Sequence, residues 1–129
     1  MLDALFNAIV SDIAFAAFRR RRERRERGRV LGCVRIQSGE LSGVSARWRE
    51  FNTQVAPGRL VSKRAEATVL GVRRRPTAPT MAEKLMFASL ETDATILEVR
   101  RTATSVLEMA VPTGDVTWVT EGLGFPIEP

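Results

Sequence analysis

The sequence predicts a mainly β fold, an antiparallel sandwich or partly open barrel of six to seven strands, preceded by an N-terminal amphipathic helix and closed by a C-terminal capping helix. Three observations predict it. Between Val30 and Val111 the chain runs in short alternating stretches separated by turn residues. The first 18 residues instead repeat their polar positions every four residues, the helical period. After Pro112-Thr113, the apolar residues Val116, Trp118, Val119 and Leu123 form a short helical stretch that Gly122 or Gly124 would end.

In residues 1–18, MLDALFNAIVSDIAFAAF, the residues Asp3, Asn7 and Ser11 share one stripe. Leu2, Leu5, Phe6, Ile9, Val10, Ile13, Phe15 and Phe18 fill the rest of the circumference. Residues 19–29, RRRRERRERGR, hold eight Arg and two Glu. Their i,i+4 pairs Arg19–Glu23, Arg22–Glu26 and Glu23–Arg27 carry the helix on to Arg27, and Gly28 stops it. Val30–Gln37 is a strand with Val30, Val34 and Ile36 on one face and Cys33 on the other, where a small core hydrophobe fits. SGELSGVS, residues 38–45, reads as a flexible turn. Ala46–Val55 and Arg59–Lys63 form a hairpin around Pro57-Gly58, and Ala67–Arg74 reads as one further strand. PTAPT, residues 76–80, is a loop, and Met81–Leu90 has a helical pattern with Met81 and Leu85 on one side.

Thr95–Arg101 and Ser105–Val111 make the last hairpin. Placing Val99 opposite Leu107 would set Glu98 across from Glu108, and like charges facing each other destabilise a ladder. The register with Val99 opposite Met109 and Arg100 opposite Glu108 is therefore expected. Thr113 reads as the N-cap of the closing helix, with Asp115 in its first turn and Trp118 and Leu123 covering the open end of the barrel. The chain divides into 1–28 (apolar helix and Arg-rich junction), 29–124 (β domain with closing helix) and 125–129 (tail).

Composition narrows the chemistry. With no His among 129 residues there is no imidazole base, and a lone Cys33 builds neither a disulfide nor a thiolate metal site. Glu98 and Glu108 could be drawn as an acid–base pair but lack a supporting base, and no glycine-rich phosphate loop occurs. The reading is a non-enzyme without catalytic residues, metal or cofactor.

Charge is the more informative quantity. Residues 1–75 carry a net +10 and residues 76–129 a net −5, and 18 of the 20 basic residues are Arg. The apolar segment would span about 27 Å as a helix, short of a bilayer core, and Asp12 burdens a crossing. Lying in the interface suits it better. There Leu5, Phe6, Ile9, Ile13 and Phe18 would insert, and Arg19, Arg20, Arg21, Arg22, Arg24, Arg25 and Arg27 would contact anionic lipid phosphates. Positive charge stays on the cytoplasmic side, so the expected location is the cytoplasmic face of the plasma membrane, peripheral or with a single N-terminal anchor. The expected role is an adaptor or scaffold that offers its acidic half to a protein partner. The alternative is a nucleic-acid-associated protein using the Arg19–Arg29 run, although the aromatics that would stack on bases are not interleaved with it.

Arg35 and the triplet Arg47-Trp48-Arg49 flank the SGELSG turn. Here the chain resembles the pleckstrin-homology-like superfold, whose phosphoinositide-binding members carry one basic residue on the first strand and a basic-x-basic pair on the second. The resemblance implies a candidate anion site at Arg35, Arg47 and Arg49. The segments GCVRI, ARWRE, APGRLV, RRRP, LEMAVP and WVTEGL also resemble a group of small uncharacterised actinobacterial proteins with an N-terminal apolar segment and an Arg-rich junction. That resemblance implies architecture and location alone.

Overall fold

The computed structural model describes residues 15–127, so the predicted inserting residues Leu5, Phe6, Ile9 and Ile13 lie outside the described residues. Helix α1 covers the described residues 15–26. It ends where Gly28 takes φ +74° and donates its N–H to Arg25 O at 2.9 Å, a left-handed stop that a side chain would oppose. Seven strands follow: β1 (Arg29–Ser38), β2 (Arg49–Ala56), β3 (Arg59–Val61), β4 (Glu66–Thr68), β5 (Gly71–Arg74), β6 (Ala94–Arg100) and β7 (Val106–Pro112). Helix α2 (Met81–Met86) and a 3-10 turn (Ala88–Leu90) lie between β5 and β6, and α3 (Val116–Leu123) closes the chain after a second 3-10 turn (Thr113–Asp115).

The strands form one antiparallel sheet in the order β4-β3-β2-β1-β7-β6-β5. β4 and β5 are thus opposite edges, yet only Val69 and Leu70 separate them. Three Cα–Cα steps reach at most about 11 Å, so the two edges must meet at that corner and the sheet must roll up. The hydrogen bonds agree: Val69 N–H donates to Gly58 O at the β2–β3 turn, and Leu70 N–H donates to Arg100 O of β6, each at 2.8 Å. The single strand expected over Ala67–Arg74 is therefore two strands, because uninterrupted alternation does not show where a sheet changes edge.

Alternation along the strands sorts the side chains into two clusters. On the inner face Val30, Val34, Phe51, Leu60, Leu97, Val99, Leu107, Met109 and Val111 pack around Val116, Val119 and Leu123 of α3. Trp118 is only partly buried at the rim of this cluster. On the outer face Cys33, Trp48, Ile96 and Ala110 are covered by Phe87 and Leu90 at the end of the α2 segment. Trp48 is 8% exposed, and its ring meets the edge of Phe87 at a centroid distance of 4.8 Å.

Three expectations are corrected here. Val99 pairs with Leu107, and Glu98 does face Glu108; cations from neighbouring strands neutralise the pair. The 38–45 turn is not loose, because Leu41 and Val44 bridge to each other and pack against the inner core. Thr113 does not cap α3, since its hydroxyl pairs with that of Thr95 at 2.9 Å and Asp115 occupies the cap position. Beyond α3, the partly buried Phe125 and Ile127 pack against the inner core.

Candidate functional site

The basic helix has two sides. At 100° per residue Ala17, Arg21, Arg24 and Arg25 fall on one face, and they are the residues of α1 turned toward the domain: Ala17 is buried and the three arginines are half-buried. Their counterpart is Asp115, 2% exposed, whose Oδ1 accepts from Arg25 Nη1 at 2.6 Å. Burial pushes the Asp115 carboxyl above its ordinary value, while the charges of Arg25, Arg21 and Arg24 pull it back. Arg20 also pairs with Glu91 after the 3-10 turn, both side chains being exposed. The opposite face of α1 presents Phe15, Phe18, Arg19, Arg22, Glu23 and Glu26 to solvent, with Arg22 and Glu26 3.4 Å apart. Phe15 and Phe18 are 64% and 49% exposed, an unusual position for phenylalanine.

Beneath α2 lies a compact charge cluster on the outer sheet face. Arg75 donates Nη1 and Nη2 to the two carboxylate oxygens of Glu83, at 2.9 and 2.6 Å, and Nη1 also reaches Glu108 Oε2 at 2.8 Å. Arg35 takes the other oxygen of Glu108, with Nε at 2.9 Å and Nη2 at 2.8 Å, while its guanidinium lies 4.6 Å from the Trp48 ring centroid. Glu98 accepts from Arg73 Nε at 2.7 Å and from Gln37 Nε2 at 2.6 Å. The paired Arg75 guanidinium holds the Glu83 carboxyl down at about 2, and the same carboxylates raise Arg75 further above its usual value. Every oxygen of these acids has a donor, so the cluster is a structural ion-pair network.

The predicted anion triplet does not assemble. Arg35 points to the outer face and is held by Glu108, whereas Arg49 pairs with Val34 in the register and so belongs to the inner-face row of β2. Arg47 precedes β2 and is exposed, as is Arg49. The acidic half is similarly engaged. Glu83, Glu91, Glu98, Glu108 and Asp115 all pair with arginines from the basic half of the chain. Of the predicted lipid-contacting arginines, Arg20 and Arg25 are in ion pairs with the domain, Arg21 and Arg24 face Asp115, and Arg19, Arg22 and Arg27 are exposed.

Sequence reasoning missed Asp115 as the docking acid for α1, and it placed Met81 and Leu85 on one side of α2 without showing that this side is exposed. There Met81 and Leu85 are each 73% exposed and Met86 52%. A signal existed for the start of α2, since Thr80 and Glu83 have capping-box spacing and each side chain bonds the other's backbone N–H. Nothing local tells that Glu83 also neutralises Arg75. Cys33 lies under α2, its Sγ 3.9 Å from Met86 O, and burial pushes its thiol up to about 11.

Comparison with family models, with curated proteins and with solved structures finds no match. Among the described residues, no helix is long and apolar enough to cross a membrane.

Proposed function

We propose that this chain is a non-enzymatic, membrane-peripheral module of the cytoplasmic face that serves as an adaptor for a protein partner. The observation that carries the reading is the two-sidedness of α1. One face is fixed to the domain through Arg25 and Asp115, and the other offers Phe15 and Phe18 beside Arg19 and Arg22. Apolar side chains followed directly by cations suit the boundary between acyl chains and anionic headgroups. The meander order of the strands, the rolled corner at Val69-Leu70 and the closing helix α3 support a pleckstrin-homology-like reading of the fold. Five carboxylates of the acidic half are held within the chain, and the exposed apolar residues Met81, Leu85 and Met86 of α2 offer a protein partner an apolar surface.

Flotation with vesicles of phosphatidylcholine and phosphatidylglycerol tests the membrane reading. Burying a Phe contributes roughly 1.5–3 kcal/mol and each cation about 1 kcal/mol at an anionic surface. Phe15→Ser with Phe18→Ser should therefore lower partitioning at least about tenfold, and Arg19→Gln with Arg22→Gln should remove the preference for anionic lipid. Unchanged flotation in both variants would reject the reading. Salt-sensitive DNA or RNA binding that ignores the Phe changes would favour the nucleic-acid alternative.

A further inference from the structure

We propose that the shallow depression between β1, β2 and the β3–β4 turn is a binding site for a phosphate group. Arg29, Lys63 and Arg64 line it together with Asn52, Ser62 and Glu50, around a volume of about 260 Å³. None of the six belongs to the Arg35–Arg47–Arg49 triplet, and the site does not depend on the membrane reading.

The carboxylates buried elsewhere in this chain each meet an arginine, yet no carboxylate among the described residues lies within ion-pair distance of Arg29, Lys63 or Arg64. Glu50 shares the depression and is in ion-pair distance of none of them, so three positive charges and one negative charge line it. The surplus of two charges matches a phosphate dianion, and an entering anion relieves the mutual repulsion of the cations. The donors suit it chemically. Two guanidinium forks can each meet two phosphate oxygens, a lysine ammonium supplies a point charge, and the Asn52 amide adds neutral N–H donors.

The turn that carries two of these residues is held in place. The Ser62 hydroxyl donates to Ala65 O and accepts from Ala65 N–H, both at 3.2 Å, which closes the turn around Lys63 and Arg64. Gly43 packs against the Arg64 carbonyl so closely that a Cβ there would stand 2.1 Å from the oxygen, and Gly43 itself has φ +87°. The Arg64 guanidinium lies 5.9 Å from the Phe51 ring centroid, which restrains the side chain without using its N–H donors. Arg29 comes from the end of the basic run but sits on β1, paired with Gln54, so its backbone is fixed by the sheet and not by α1.

The test uses the full chain with two probes: inorganic phosphate in solution, followed by amide shifts of Asn52 and residues 62–64, and phosphatidylcholine vesicles with or without phosphatidic acid. Lys63→Gln with Arg64→Gln should weaken binding at least about tenfold. Glu50→Gln should tighten it several-fold, an effect that misfolding would not produce, and Lys84→Gln on α2 should leave it unchanged. Saturable binding of the free ion with this pattern identifies a soluble phosphate compound as the ligand. The same pattern with phosphatidic acid vesicles alone identifies a lipid headgroup, and either result upholds the site. The proposal is overturned by a lack of binding to both probes, by indifference to the Lys63/Arg64 change, or by an equal loss in Lys84→Gln.

Discussion

Glu98 and Glu108 stand directly opposite each other in the β6–β7 ladder, and both are buried, at 6% and 3% exposure. The pair is stable because each carboxylate is met by donors from both flanking segments. Glu98 is met by Arg73 of β5 and Gln37 of β1, and Glu108 by Arg35 of β1 and by Arg75. A two-strand rule counts only the repulsion, whereas the sheet supplies the third and fourth partners.

The arginines in this network should differ sharply in their contribution. Arg75 has a side chain only 10% exposed and serves two buried carboxylates, so Arg75→Met should cost about 3–5 kcal/mol by leaving both without it. Arg73 is 72% exposed, and Arg73→Gln should cost about 1 kcal/mol or less, with Gln37 still bonded to Glu98. Urea unfolding of the two variants measures the difference; equal losses would contradict this network.

Acid should act through Glu83. Its folded carboxyl titrates at about 2 against an ordinary value of 4.5, so its contribution is present above about 4.5 and is lost as pH falls toward 2. The contribution is at most about 3 kcal/mol at neutral pH. Glu83→Gln should be less stable at pH 7, and its stability should fall less steeply than that of the parent between pH 4.5 and 2. Parallel stability–pH curves for the two proteins would reject the assignment.

The Arg25–Asp115 contact gives a pH effect of the opposite sign. Asp115 is raised by burial, so the native state binds its proton more readily than the unfolded chain does and stability rises as pH falls through that group. Arg25→Gln removes the main compensating charge. It should cost roughly 3 kcal/mol at neutral pH and much less at pH values where Asp115 is protonated. It should also expose the Arg-rich α1 to trypsin. Thermal melts across pH and timed digestion check both; an Arg25→Gln protein with parent-like α1 protection would show that Asp115 does not fasten the helix.

Cys33 should behave as a core residue. With the thiol at about 11 and α2 packed over it, alkylation by iodoacetamide near pH 8 should run orders of magnitude more slowly than for a free thiol and should accelerate with urea. Labelling at the rate of an exposed cysteine would mean that α2 does not cover this face.

Much of the fold was legible because it is local. Alternation revealed β1, β6 and β7, Pro57-Gly58 revealed the β2–β3 hairpin, and the Val116, Val119 and Leu123 spacing revealed α3. Less of the candidate site was legible. Phe18 and the arginines of the run were named from their order along the chain and Phe15 was not, and which arginines face the domain depends on where Asp115 and Glu91 lie, some 70 to 90 residues away in the sequence. The grouping of Arg35 with Arg47 and Arg49 failed because adjacent strands can present a triplet to opposite faces.

By itself the sequence determined a β domain behind a basic amphipathic helix, since helical and strand periods and turn residues act over a few positions. It also determined the excess of cations in the first half and of carboxylates in the second. Only the tertiary structure decided where those charges meet. Rolling the sheet at Val69-Leu70 brings β5 against β6, and the pairing of β1 with β7 carries Arg35 to Glu108, so both Glu98 and Glu108 acquire arginines from distant segments. Coulomb attraction is short in reach and indifferent to sequence separation, and the fold that fixes those distances selects its partners.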